Sequence, residues 1–134
     1  MAKESGLGMT VSVDDSGGTL RDLSNDITNI DWATPRGVQD ITGLDKSAVE
    51  RLLLLADVSG TINGVFNDAS NKSHDVFKTV SSTSVDRTVT IVVSGQTLSM
   101  ECVLTDYSIS RSATGELTYS VPWSLADGTV PTWA

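Results

Sequence analysis

From Thr88 to Leu125 apolar side chains recur at every second residue through three successive runs. No other feature limits the fold so tightly, because a period of two sends alternate residues to opposite faces of an extended strand. Val89, Ile91 and Val93 face one way, with Thr88, Thr90 and Ser94 on the other. After Ser94-Gly95-Gln96 the alternation resumes, with Leu98, Met100, Cys102 and Leu104 set against Thr97, Ser99, Glu101, Val103 and Thr105. A second turn, Ser112–Gly115, leads into Leu117, Tyr119, Val121, Trp123 and Leu125, which alternate with Glu116, Thr118, Ser120, Pro122 and Ser124. Short glycine-containing turns between such runs predict an antiparallel meander. Pro122 lacks an N–H, so its strand either lies at an edge or leaves one ladder bond unmade.

Upstream, Met9, Val11 and Val13 alternate with Thr10, Ser12 and Asp14 and predict a strand that ends in the turn Asp14–Gly18. Leu20–Leu23 and Ile27–Trp32 follow, the latter reading as a strand stopped by Pro35 and Gly37. Residues 40–51 carry loop signals, with room for a helical turn. Leu52-Leu53-Leu54-Leu55 fits a helix or a strand buried on both faces. Together with the parity of Val58, Ile62 and Phe66, it predicts one long strand reaching Asn67, bent near Gly60. Val76, Phe77 and Val80 predict a helix over 72–80, with Asn71 or Ser73 as its cap and Asp75 in its first turn. Asp127–Ala134, with Pro131 and Trp133, has no periodicity and reads as an arm.

The expected architecture is therefore mainly β. It is a sandwich or barrel of about seven or eight antiparallel strands with one flanking helix, a long inter-strand loop and extended terminal arms. The 134 residues predict a single domain: an arm over 1–8, a core over 9–126 and a C-terminal arm over 127–134. Ser and Thr fill 34 positions, which suits strands with one wet face.

The formal charge of −8 argues against a protein that grips DNA or anionic lipid through its net field. A single cysteine, Cys102, excludes an internal disulfide and sits on the inward parity of its strand, as a small core residue does. The longest apolar run, Leu52–Ala56, is far short of the roughly 18 residues that span a membrane. No apolar segment follows Met1–Ser5, which predicts no signal peptide and folding in a cytoplasm.

Catalytic chemistry finds no foothold. His74 is the only histidine, so it cannot build a histidine-based zinc site; no Gly-x-Ser-x-Gly occurs to supply a triad nucleophile, and His74 reads as a surface or helix-flank residue. Gly6-Leu7-Gly8 lacks the context of a phosphate loop, and Asp14–Gly18 lacks the ligand series of a calcium loop. Asn71-Lys72-Ser73 matches the glycosylation triplet, which has no role without secretion. Trp32, Trp123 and Trp133 offer a sugar platform on paper, but core packing suits them better. No metal, cofactor or catalytic residue is predicted.

The segments Ile41–Arg51 and Asp57–Asp68, with the ending Val121-Pro122-Trp123-Ser124-Leu125-Ala126-Asp127-Gly128-Thr129-Val130-Pro131-Thr132-Trp133, resemble the major tail (tail tube) proteins of long-tailed phages. The likeness is nearest to phages infecting actinobacteria and runs from about Gly8 to Trp133. It implies a β-sandwich with a flanking helix, six copies of which form a ring, the rings stacking into a hollow tube. It also implies that a long inter-strand loop reaches the neighbouring ring, here with Thr42, Asp45, Lys46, Glu50 and Arg51 as contact residues. The terminal segments Lys3–Met9 and Asp127–Trp133 would cross to neighbours, with Met9, Pro131 and Trp133 in those contacts.

The expected function is a structural virion protein, assembled in the host cytoplasm, whose tube conducts DNA without specific binding. Its expected partners are further copies of itself and tape-measure, tail terminator and tail-tip proteins, with no membrane. Glu101 and Glu116, on the outward parity of the meander, are candidates for the lumen wall. Another phage β-module shares the composition, whether a tail terminator, a connector or a decoration protein. From a different class, a carbohydrate-binding module would use the tryptophans, and a small glycosidase ranks last.

Overall fold

The computed structural model describes residues 3–134. Along them run β1 (Thr10–Asp14), β2 (Leu20–Asp22), β3 (Ile27–Ala33), β4 (Arg36–Asp40), β5 (Arg51–Ala56), β6 (Ser59–Val65), α1 (Ser73–Phe77), β7 (Arg87–Val93), β8 (Gln96–Leu104), β9 (Ser108–Arg111) and β10 (Leu117–Leu125). Eight strands form one antiparallel sheet in the order β2-β1-β7-β8-β10-β6-β3, with β9 also paired to β10. β4 and β5 form a separate two-stranded ribbon. The mainly β architecture with one helix is the predicted one. There are ten described strands rather than seven or eight, because the ribbon and the short β2 and β9 add to the expected set.

The meander lies where the alternation predicts it. Val93 pairs with Gln96 across Ser94-Gly95, both of which have positive φ (50° and 79°), the mirror-image turn that suits a two-residue hairpin. β8 and β9 lie end to end along one edge of β10, interrupted at Thr105–Tyr107. Pro122 falls opposite that interruption, and its carbonyl accepts from Thr105 N–H. The unmade bond, rather than an edge position, is thus how the sheet accommodates the proline: β10 is flanked on both sides.

Both ends of the sheet contribute to a single core. Val11 and Val13, Val89 and Ile91, Leu98, Met100 and Cys102, Tyr119, Val121 and Trp123, Ile62, Leu23, Val76 and Phe77 pack together, with Ile27, Ile30 and Trp32 against them. The sheet must therefore curl. The corner Leu23–Asp26 carries β2 into β3, and Leu23 N–H donates to Val11 carbonyl. Among the described residues no ladder joins β1 to β3, so the curl stops short of a closed barrel.

Two predicted elements differ. The helix spans Ser73–Phe77 rather than 72–80, and turns continue it to Ser82. Neither Asn71 nor Ser73 caps it. The cap position is Lys72, with no side-chain bond, and the first helical N–H, that of Ser73, donates to buried Asp26 Oδ2 at 3.1 Å. The same carboxylate accepts from Asn67 Nδ2 at 2.8 Å. At the other end, buried Arg87 donates to the carbonyl of Val76 and to Thr79 Oγ1, so the five-residue helix is held by distant side chains at both ends. The long strand expected from Leu52 to Asn67 is two strands. It breaks at Asp57-Val58, not at Gly60, because β6 stays in the sheet between β3 and β10 while β5 leaves the body to pair with β4.

Candidate assembly interface

β4 and β5 run antiparallel, with Val38 opposite Leu53, Gln39 opposite Leu52 and Asp40 opposite Arg51. Leu52 and Leu54 occupy one face of this ribbon, Leu53 and Leu55 the other. The sequence predicts these leucines buried on both faces; they are exposed on both. Leu53 is 59% and Leu55 89% accessible, and Val38, Ile41 and Val49 extend the apolar surface. A few isolated apolar side chains on a surface are ordinary, but a contiguous two-faced strip of leucine is a candidate interaction surface. The run could have been recognised by its lack of alternation directly beside a charged loop.

The ribbon tip gathers all five predicted loop residues. Asp40 Oδ1 accepts from Thr42 N–H at 2.9 Å and from Thr42 Oγ1 at 2.6 Å, while Glu50 N–H donates to Thr42 Oγ1 at 2.9 Å. These bonds hold the Asp40 carboxyl below the usual carboxylate range, the Thr42 hydroxyl contributing most. Lys46 Nζ lies 3.6 Å from Asp45 and 4.0 Å from Glu50. Arg51 opens β5 and is exposed. The tip is thus a closed, solvated loop with both signs of charge.

The predicted arm residues are not brought together. Met9 is half-buried against the core beside Gly6, Ile27 and Ile30. Of the expected arm over 1–8, Met1 and Ala2 lie outside the described residues. At the other end of the chain, Ala134 and Thr97 exchange two backbone hydrogen bonds of 2.8 Å, which closes the last residues onto β8. Trp133 stands 6.4 Å from Trp32, tilted by 45°. Pro131 lies over a cleft of about 330 Å³ that Glu101 and Asp127 also line.

The sheet face turned from the core is hydroxyl-rich. Thr90 and Ser99 meet across β7 and β8 at 3.2 Å, Ser120 lies between Asn63 and Ser108, and Thr118 faces Ser110. Asp14, Asp31 and Glu101 supply its charge. The strands β1, β3, β6, β7, β8 and β10 carry one cation, Arg87, and that side chain is buried on the other face. Glu101 accepts a hydrogen bond from Thr88 on this face. Glu116 stands apart, in the turn before β10, bonded to Ser112 and Thr114.

The remaining candidates are packed. His74 Nδ1 lies 3.1 Å from Tyr107 Oη, and its ring sits 4.7 Å from that of Phe66. Cys102 is buried, and burial pushes its thiol up to about 12, so it stays a thiol at neutral pH. Trp123 is buried, which leaves no coplanar platform of three tryptophans for a sugar. Among the described residues no group of three or more His, Cys, Asp or Glu side chains has the spacing to hold a metal ion.

No protein-family model matches the chain, and no curated protein matches its sequence. Solved structures do match. A chain from the tail of an empty gene transfer agent particle, reconstructed by helical refinement with C6 symmetry, superposes with a TM-score of 0.79 at 15% identity, over 98% of this chain and 99% of that one. A chain from the virion of a native gene transfer agent particle gives 0.78 at 14% identity, with the same coverage. The class the coordinates define is thus a curled antiparallel sheet with a projecting ribbon. It is the fold of a chain found in a gene transfer agent tail.

Proposed function

We propose that this chain is a tail tube subunit, a structural virion protein that joins copies of itself into stacked, six-membered rings enclosing a channel for DNA. The observation that carries this reading is the leucine ribbon, exposed on both faces and, among the described residues, paired to no other strand. The shared fold with a chain from a C6-symmetric tail supports the ring. Thr42, Asp45, Lys46, Glu50 and Arg51 belong to the ring-to-ring contact, and Met9, Pro131 and Trp133 to contacts made by the terminal segments.

Passage of DNA asks for a wall that does not hold it. Duplex DNA carries a negative charge about every 1.7 Å, and binding proteins neutralise it with Lys and Arg. Six copies at −8 each carry −48. The hydroxyl face has acidic side chains and no exposed strand cation, so it suits the lumen, with Glu101 on it and Glu116 at its margin. The chain is structural rather than enzymatic. It works in the tail of a virion after assembly in the host cytoplasm, beside tape-measure, terminator and tail-tip proteins.

Negative-stain electron microscopy of the concentrated protein tests this reading. Hollow filaments are the expected result. Discrete single rings would identify a tail terminator instead, and a protein that remains solitary at every concentration would remove the proposal.

A further inference from the structure

We infer that the leucine ribbon of one copy seats on the opposite pole of the next copy, on an apolar patch formed by Ile109 and Leu117 beside Phe66. The inference rests on the self-assembly reading above and adds the receiving surface to it.

The two surfaces lie at opposite ends of the same strands. The ribbon is rooted where Ser59 pairs with both Ala33 and Ser124. β6 then runs seven residues to Val65, which pairs with Thr118. At about 3.3 Å per residue the two ends are about 20 Å apart. At the far end Ile109 faces Tyr119 and Leu117 faces Arg111, so Ile109 and Leu117 are diagonal neighbours on one face of the sheet. Both are exposed, and half-buried Phe66 adjoins them through the bond from its N–H to Leu117 carbonyl.

A chain cannot satisfy its own patch. The ribbon leaves from the other pole, and every residue of β4 and β5 except Ala56 remains exposed. Val130 and Leu125 share a cleft with Leu55 at the root, so they extend the inserting surface rather than receive it. Charge also matches. Arg111 forms no ion pair among the described residues, and at the outer end of the ribbon the exposed carboxylate of Asp40 forms none either. A donor surface at one pole and an acceptor surface at the other make a head-to-tail contact, which extends as an open stack when its rotation does not close a ring.

The test uses two variants of the full chain: Leu53→Asp in the ribbon, and Ile109→Asp with Leu117→Asp in the patch. All three positions are exposed, and an unchanged thermal midpoint of the dilute protein checks that each variant folds. In sedimentation, wild type lengthens with concentration. Each variant alone stays unstacked until at least about tenfold higher concentration, the equivalent of about 1.4 kcal/mol. Mixed, the two pair through the one intact ribbon-to-patch contact and stop at two layers. A second measurement does not depend on these charges: Leu53→Cys with Leu117→Cys gives intermolecular disulfide ladders on oxidation. A patch variant that lengthens like wild type, an inert mixture, or an absence of ladders overturns the inference and leaves self-assembly standing. A wild type that never lengthens overturns both.

Discussion

At Gly60 and Gly64 the missing Cβ lets two aromatic rings lie flat on the neighbouring strand. Trp123 is the register partner of Gly60, and Tyr119 of Gly64, with Val121 against Ile62 between them. A Cβ at Gly60 would fall 2.6 Å from Trp123 Cζ2, and one at Gly64 would fall 2.6 Å from Tyr119 Oη, with backbone carbonyls closer still. Gly60→Ala or Gly64→Ala is therefore expected to cost about 3 kcal/mol by overpacking, read from denaturant unfolding. Asp26 serves as a second test. Asp26→Ala leaves the Ser73 N–H and the Asn67 amide without an acceptor in a buried setting, and is expected to destabilise by about 2–3 kcal/mol. Acid should act through Asp15. Its carboxylate accepts N–H groups from Thr19 and Gly17 and pairs with Arg21 at 3.1 Å, and these partners, Thr19 first, hold its pKa below the ordinary value. Asp22 is lowered in the same way by Ser24. A folded pKa below the unfolded one stabilises at pH values above the unfolded value, about 3.9, and that stabilisation is lost as pH falls through the folded value. Thermal midpoints should thus hold level from pH 7 to about 5 and drop below about 4, and Asp15→Asn should flatten the drop.

Among the elements, the meander was the most legible, because Thr88–Leu125 carries its own period and Ser94-Gly95 its own turn chemistry. The helix was legible in kind but not in length. Its N-terminal acceptor is Asp26 and its C-terminal donor is Arg87, and no local pattern points to either. The ribbon was misread for a physical reason. Apolar residues are expected inside when one chain is the whole system, whereas Leu52–Leu55 stand exposed on a ribbon outside the sheet, and the proposed function gives their cover to another copy. That residues 40–51 hold a loop was legible from their own composition, whereas a contact role for Thr42–Arg51 comes from the family resemblance alone and stays part of the proposal. The ribbon also makes a dynamic prediction. Thr42 and Glu50 N–H are bonded within the tip, while Gly43, Leu44 and Asp45 N–H have no such partner among the backbone and side-chain bonds of the loop. Hydrogen exchange at those three amides should be fast in the dilute subunit and slow once copies have joined; protection in the dilute subunit would contradict this.

Over the whole molecule, a curled sheet and the separate ribbon beside it present three different surfaces: a sealed core, a hydroxyl face without exposed strand cations, and an apolar ribbon that projects from one pole. In the proposed function the second suits passage of a polyanion and the third is the surface through which copies join. Self-association through the ribbon is the claim on which the account turns. Sedimentation of wild type and the double variant Leu53→Asp, Leu55→Asp over a range of concentrations measures it directly. The account predicts a wild-type mass that climbs with concentration far above the 14.2 kDa of one chain, and a folded variant that never grows beyond a single unstacked layer. A variant that assembles as readily as wild type, or a wild type that stays single throughout, would contradict it.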